Sequence, residues 1–135
     1  MKHNHIAIWI LVVAHMALGI LWYSPFLFLD PWAAGFRLDV ATMAEPNPMA
    51  FVFVIGGAAL SGYVASWLIG KLGVTDMAGA TKLALILWAG PVFAALAPHY
   101  LFGQIGLGAL AIDLANTLFG MLMTTIVLTL WRAKS

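Results

Sequence analysis

The chain has 135 residues, of which 64% are hydrophobic and only 8% are charged. A soluble domain is about 25% charged, so this composition excludes a soluble globular protein and indicates one that lies in a lipid bilayer. A net charge of +1 without a basic run argues against nucleic acid as a partner, and the absence of cysteine excludes disulfides and thiolate metal sites. We expect one membrane domain over residues 1–135.

The first apolar run extends from Ile6 to Leu29 without Asp, Glu, Lys or Arg. It is longer than the core of a signal peptide, which is about 7–15 residues. The segment Trp22-Tyr23-Ser24-Pro25 pairs interfacial aromatic residues with a proline that stops a helix. We therefore predict an uncleaved first span over about residues 6–24. His15 is the one polar side chain near its middle.

A short helix in the membrane interface is predicted after this span. Asp30-Pro31 is typical of a helix start, with an N-cap followed by proline at the first helical position. Apolar residues then recur at helical spacing, namely Trp32, Phe36, Val40 and Met43. An irregular loop with aromatic anchors is the alternative.

The second span is predicted over about residues 49–70, where small side chains are spaced by four. The two resulting ladders are Gly57/Ser61/Ala65 and Ala58/Gly62/Ser66. Such ladders allow close helix packing in lipid, so Gly57, Ala58, Ser61 and Gly62 are candidate packing residues. One ladder can face a neighbouring span, which leaves the other, with Gly62, for a second copy in a dimer.

Spans two and three are predicted to form an antiparallel hairpin. Gly73 can end span two in a left-handed cap, and Thr75 or Asp76 can cap the next helix. Span three is predicted over about residues 78–98, with a kink at Gly90-Pro91 and an end at Pro98. Span four is predicted over about residues 109–131. The fold class is therefore all-α, a polytopic bundle of four transmembrane helices.

Four spans place both termini on the same side of the bilayer. The cations divide unequally, because Arg37 alone lies on the other side and the terminal side carries Lys2, Lys71, Lys82, Arg132 and Lys134. The positive-inside rule then predicts that both termini are cytoplasmic.

Several short motifs carry a resemblance to a known family. They are Leu21-Trp22-Tyr23-Ser24-Pro25, Leu87-Trp88-Ala89-Gly90, Tyr100-Leu101-Phe102-Gly103, Ile112-Asp113 and Leu130-Trp131-Arg132. The chain resembles an uncharacterised bacterial family of small four-helix membrane proteins, known only as a domain of unknown function. The resemblance implies the fold and a bacterial inner membrane, and it implies no activity. Asp113 matches the acid of the family's fourth span, whereas the place of His15 usually holds a small apolar residue.

Polar residues in the outer half of the bundle are the candidate site. At about 1.5 Å per residue, Asp113 falls about 6–8 Å and Asn116 about 12 Å below the outer boundary. His15, counted back from Tyr23, also falls at about 12 Å. A carboxyl group in a span needs a hydrogen-bond donor, which His15, Asn116 or Tyr100 could supply. We predict that Asp113 and His15 are in contact across the bundle. The whole predicted polar centre contains His15, His99, Tyr100, Asp113, Asn116 and Thr117.

Three functional hypotheses follow. The first is binding or passage of a small solute or a proton through the polar centre. The second is an accessory subunit that packs against a partner membrane protein or a second copy. The third is a tetrapyrrole site with His15 as its single ligand, because the depths of His15 and His99 differ too much for one haem. No nucleophile, phosphate or zinc-protease motif is present, so we expect no enzyme. Apart from the tetrapyrrole of the third hypothesis, we expect no metal and no other cofactor.

Overall fold

The structure is a computed structural model that describes residues 2–132. It is 76% helical, and no strand is present in that range. The helices are α1 (His5–Trp22), α2 (Leu29–Gly35), α3 (Pro48–Leu72), α4 (Met77–Leu87), α5 (Ala94–Phe102) and α6 (Leu107–Leu130), and a π-helical segment (Trp88–Phe93) joins α4 to α5. Four helices, α1, α3, the continuous Met77–Phe102 and α6, are long and apolar enough to cross a membrane. The predicted all-α fold with four spans is confirmed.

Polar caps fix the helix ends at the side of the bundle where α1 begins and α6 ends, which we call the termini end. The Asn4 side chain accepts a hydrogen bond from the Ala7 N–H at 3.1 Å and donates one to the Trp131 carbonyl at 2.9 Å. Asp76 caps α4 by accepting from the Gly79 N–H at 2.8 Å, and Gly73 ends α3 at φ 63°. The predicted turn between spans two and three therefore has the expected caps. Lys134 lies outside the described residues.

The third span is irregular and longer than the sequence predicts. Gly90 and Pro91 lie in the π-helical segment, where the predicted kink falls. The helix then continues through Pro98 to Phe102, although we predicted its end at Pro98. Membrane helices tolerate proline because local π-type adjustments and neighbouring helices satisfy the freed carbonyls. The chain turns only at Gln104, which has a φ of 56°.

The interfacial helix α2 is shorter than predicted and packs on the start of α6. Its N-cap is Phe28 instead of Asp30, and it ends at Gly35, so the predicted positions Val40 and Met43 lie beyond it. Arg37 adopts a left-handed φ of 57°, which ends the helix. The Gly35 carbonyl accepts a hydrogen bond from the Gly106 N–H at 2.9 Å, so α2 covers the first turn of α6. We call this side of the bundle the α2 end.

Small residues of α3 pack against α1 only toward the termini end. Gly62 and Ala65 are buried, and a Cβ added at Gly62 would lie 3.0 Å from Ile8 Cγ2. Gly57 is exposed and has open space around it in the described part of the chain. The prediction that Gly62 faces a second copy is therefore wrong, because its face is occupied by α1. Residues 49–57 are exposed throughout, so the first half of α3 stands apart from the bundle.

Candidate functional site

Asp113 is the meeting point of three elements at the α2 end. The Tyr23 hydroxyl, just after α1, donates a hydrogen bond to Asp113 Oδ1 at 2.5 Å. Asp113 Oδ2 accepts from the Tyr100 hydroxyl on α5 and from Trp32 Nε1 on α2, the latter at 3.3 Å. We call Tyr23, Trp32, Tyr100 and Asp113 the Asp113 junction. One carboxyl group thereby ties α1, α2 and α5 to α6.

Two further indole groups donate to the backbone of α6 beside this junction. Trp22 Nε1 donates to the Ile112 carbonyl at 3.1 Å. Trp88 Nε1 donates to the Leu114 carbonyl at 2.8 Å and to Thr117 Oγ1 at 3.2 Å. From the sequence, Trp22 and Tyr23 were expected in the membrane interface, and their contacts with α6 were not predicted. The motifs that carry the family resemblance contain Trp22, Tyr23, Trp88 and Tyr100 together with Asp113. Their joint occurrence in these motifs was a signal that could have indicated contact between them.

His15 does not contact Asp113, so the predicted His15–Asp113 pair is wrong. His15 Nε2 forms a hydrogen bond with Thr124 Oγ1 at 2.9 Å, and its ring lies against Gly120. The predicted contact assumed that Tyr23 and the start of span four lie at the same membrane boundary. In the structure Tyr23 reaches Asp113 instead, because α6 extends past the end of α1 and α2 fills the space above it. His15 therefore lies about two helical turns deeper than Asp113.

A cavity of about 660 Å³ lies between α1, α3 and α6 on the side where α3 stands apart. Most of its wall is apolar, and its polar lining residues are Tyr23, Ser61, Thr117, Thr124, Asn116 and His15. Gly57 and Ala58 line it from α3, and Gly120 lines it from α6. Three of the four predicted packing residues, Gly57, Ala58 and Ser61, thus line a cavity, and Gly62 alone of the four packs on α1.

Asn116 is an unpaired polar group in the cavity wall. Its Nδ2 atom is buried and has no hydrogen-bond partner among residues 2–132. The Thr117 hydroxyl, in contrast, donates to the Leu114 carbonyl at 2.9 Å. A buried amide group without a partner costs about 1–3 kcal/mol of the free energy of folding.

The predicted site residues therefore fall into three places. Asp113 and Tyr100 belong to the junction, whereas His15, Asn116 and Thr117 line the cavity. His99 is exposed on α5 and joins neither group. Its neighbour Tyr100 points into the bundle, because successive residues of a helix face different directions. No group of three or more His, Asp or Glu side chains suited to a metal occurs within residues 2–132.

Four spanning helices, a junction centred on a carboxyl group and a lateral apolar cavity define a polytopic helical membrane protein. The chain belongs to the family described as "Protein of unknown function (DUF1761)", which it matches over residues 6–129. The predicted resemblance to an uncharacterised family is thereby confirmed. No curated protein and no solved structure matches the chain significantly.

Proposed function

We propose that this membrane protein binds a small, largely apolar molecule in the cavity between α1, α3 and α6. The observation that carries the proposal is the cavity itself, with a volume of about 660 Å³. Ligand pockets in proteins span about 300–1,000 Å³ and combine apolar walls with a few convergent polar groups. The cavity has this composition, and it borders the bilayer where α3 stands apart.

Binding is better supported than passage across the bilayer. At the termini end, α1, α3, α4 and α6 close around an apolar cluster of Ala7, Ile8, Leu11, Ala65, Ile69, Leu83 and Leu128. These side chains are buried and apolar. The buried hydroxyl groups of Thr125 and Thr129 also lie on this part of α6, but within the described residues neither forms a hydrogen bond with Thr124 or with the other. His15 on α1, Ser61 on α3 and Thr124 on α6 are the polar lining residues of their helices nearest to the termini end. This distribution favours a binding site that opens on one side over a path across the bilayer.

The proposal is tested by identifying the small molecules that copurify with the protein from its own membrane. Gly57 lines the cavity, and a Cβ added there meets nothing within 4 Å, so Gly57→Phe should reduce the volume open to a ligand without displacing a neighbouring side chain. Gly56 is its matched control, because it is the neighbouring residue on α3, is equally unobstructed and is not part of the lining. We expect mass spectrometry of organic extracts to detect a lipophilic molecule with the wild type and Gly56→Phe, and to lose it with Gly57→Phe. Equal recovery from both variants would contradict the proposal.

The proposed location is a bacterial inner membrane with both termini in the cytoplasm. The family resemblance supports the membrane, and the distribution of cations supports the orientation. Lys71 and Arg132 lie at the termini end, and Arg37 follows α2 at the opposite end. By the positive-inside rule, the cavity then opens in the outer half of the bilayer.

A second candidate function, as an accessory subunit, is favoured by the exposed first half of α3. A partner helix or a second copy could pack on this segment and fill the cavity. A cysteine at Phe53, which lines the cavity and is exposed, should then form crosslinks to another chain in native membranes. Crosslinks at Phe53 that persist when no small molecule is recovered would favour this second function over ligand binding.

A further inference from the structure

We propose that the cavity between α1, α3 and α6 holds the acyl chain of a membrane lipid, inserted lengthwise from the α2 end, and that the cavity limits this chain to about 10–13 carbons. This inference names the class of molecule for the binding site described above, so it rests on the proposed function. It follows from the shape of the cavity, from the hydrogen bonds of its polar lining residues and from its length relative to a bilayer.

The cavity is a slot that follows the helix axes. Its lining on α1 starts at His15 and ends just past the helix at Tyr23, a distance of about 12 Å at about 1.5 Å per residue. The lining on α3 runs from Ala50 to Ser61, which is about 16 Å, and the lining on α6 is about as long as that on α1. On each helix one lining residue lies nearest to the termini end, and we call these three residues, His15, Ser61 and Thr124, the closed end.

One end of the slot is blocked by packed side chains and the other end is open. Beyond the closed end, Leu11 of α1 is buried. Gly62, the residue after Ser61, packs on Ile8, so α3 and α1 are in contact there. At the α2 end the lining reaches the exposed Pro46, in the loop before α3, and the described lining includes no residue of α2. A chain can therefore enter from the α2 end and must stop at the closed end.

The polar groups of the lining do not call for a polar ligand. The hydroxyl groups of Tyr23 and Thr117 donate to acceptors on α6, and His15 and Thr124 are hydrogen-bonded to each other. The amide nitrogen of Asn116 is buried, so a molecule in the cavity cannot reach it. The remaining polar lining residue is the serine of the closed end, and a serine in a helix can donate to a carbonyl of its own preceding turn. A hydrocarbon chain therefore matches this wall without leaving an exposed polar group that only a ligand could pair.

The charge of the lining places a lipid headgroup outside the slot. None of the described lining residues is Lys, Arg, Asp or Glu, so a charged headgroup inside the cavity would lose its hydration without gaining a counter-charge. At the α2 end, in contrast, the lining reaches a loop at the end of two spans. A headgroup can remain hydrated there while its chain occupies the slot.

The length of the slot corresponds to one leaflet of a bilayer. The hydrocarbon core of a bilayer is about 30 Å thick, so one leaflet contributes about 15 Å. A lipid with its headgroup near Pro46 can therefore extend one chain along the slot. An extended chain advances about 1.2 Å per bond, as an extended polypeptide does, so about 12–16 Å hold about 10–13 carbons. A longer chain must bend or leave carbons outside.

The test is a competition among phospholipids that carry one saturated chain each, with about six to about eighteen carbons, so that the series brackets the length of the slot. Native mass spectrometry of the purified protein in detergent measures which of them stay bound. We expect retention to be highest at about 10–13 carbons and about five- to tenfold lower at both ends of the series. A short chain leaves empty volume in the slot, and a long chain overpacks the closed end.

Two variants and one modified lipid test the closed end. The aromatic ring of Ser61→Phe occupies part of the slot, so the preferred chain should shorten by about three to four carbons. Gly56→Phe is the control, because Gly56 lies on the same helix outside the lining and should keep the wild-type profile. A terminal hydroxyl group on the preferred chain should lower retention, because this group gives up its hydration at the closed end.

The outcomes separate this inference from the proposed function. Retention that is flat or rises steadily with chain length, together with its loss in Gly57→Phe, would show that the cavity binds apolar molecules without the length limit. Stronger retention of the hydroxyl-terminated chain would assign a polar group to the closed end. Either result overturns this inference and leaves the proposed function intact.

The binding function itself fails if the wild type retains no chain, or if Gly57→Phe and Gly56→Phe retain every chain alike. The length profile of the wild type needs no variant, so a misfolded Ser61→Phe protein would not prevent the decision.

Discussion

Asp113 is expected to be the most sensitive polar position in the bundle. Asp113→Leu removes the acceptor for two tyrosine hydroxyls and one indole N–H. Hydrogen bonds in membrane proteins contribute about 0.6 kcal/mol on average and about 1.7 kcal/mol at most. Three such bonds predict a loss of about 2–5 kcal/mol in the free energy of unfolding. Reversible unfolding in mixed micelles with increasing SDS, followed by circular dichroism, measures this loss.

Double-mutant cycles then test the geometry. Tyr100 donates to Asp113, so Tyr100→Phe combined with Asp113→Leu should show a coupling energy of about 0.5–3 kcal/mol. His15 bonds Thr124, which lies about 16 Å from Asp113 along the helix. His15→Leu and Asp113→Leu should therefore be additive to within about 0.5 kcal/mol.

Asp30 offers a matched control for the loss of an acid. It is exposed on α2, and its side chain makes no hydrogen bond within residues 2–132. Asp30→Leu should leave the unfolding curve unchanged. A His15–Asp113 coupling above about 1 kcal/mol, or strict additivity of Tyr100 and Asp113, would refute the junction and the register of α1 against α6.

Two further predictions concern packing and topology. Gly120→Ala should cost about 1–3 kcal/mol because the new methyl group collides with His15, and His15→Ala should restore that loss. Gly19→Ala is the control, since Gly19 also lines the cavity but has open space around it; a comparable loss there would contradict the contact. In this cysteine-free chain, a single cysteine at Arg37 should react with an impermeant thiol reagent added outside intact cells, whereas one at Thr75 should not. Labelling at Thr75 would overturn the orientation.

The fold could be predicted because its signals are local. An uncharged apolar run of about 20 residues has few stable states other than a spanning helix, and this holds for each of the four spans. The ends at Gly73 and Asp76 follow from residue types with strong positional preferences. The length of α2 was harder to predict, because its end depends on the tertiary contact between Gly35 and Gly106.

The register between helices could not be predicted from the sequence. Counting residues from each helix end assumes that all ends lie at one depth, and α2 breaks that assumption by covering the start of α6. As a result, we paired His15 with Asp113, whereas in the structure His15 forms a hydrogen bond with Thr124. Trp22 and Tyr23 were assigned to the interface because aromatic residues at span ends usually lie there, and Trp32 was placed on the predicted interfacial helix.

The cavity could not be predicted from sequence patterns either. Gly57 and Gly62 belong to equivalent small-residue ladders on α3, yet Gly62 packs on Ile8 and Gly57 faces open space. The difference lies in which part of α3 has a neighbour, because Gly62 contacts α1 whereas residues 49–57 are exposed. A ladder therefore indicates where close packing is possible, and it does not identify which of its residues are used.

Under the proposed function, the cavity between α1, α3 and α6 holds a small apolar molecule. The most direct measurement is a crystal structure of the purified protein grown with a bromoalkane, with bromine located by its anomalous scattering. We expect a bromine peak inside the cavity, beside Gly57 and Gly120, and no such peak in crystals of Gly57→Phe. Bromine found only on the outer lipid-facing surfaces, or the first half of α3 packed directly against α1, would contradict it.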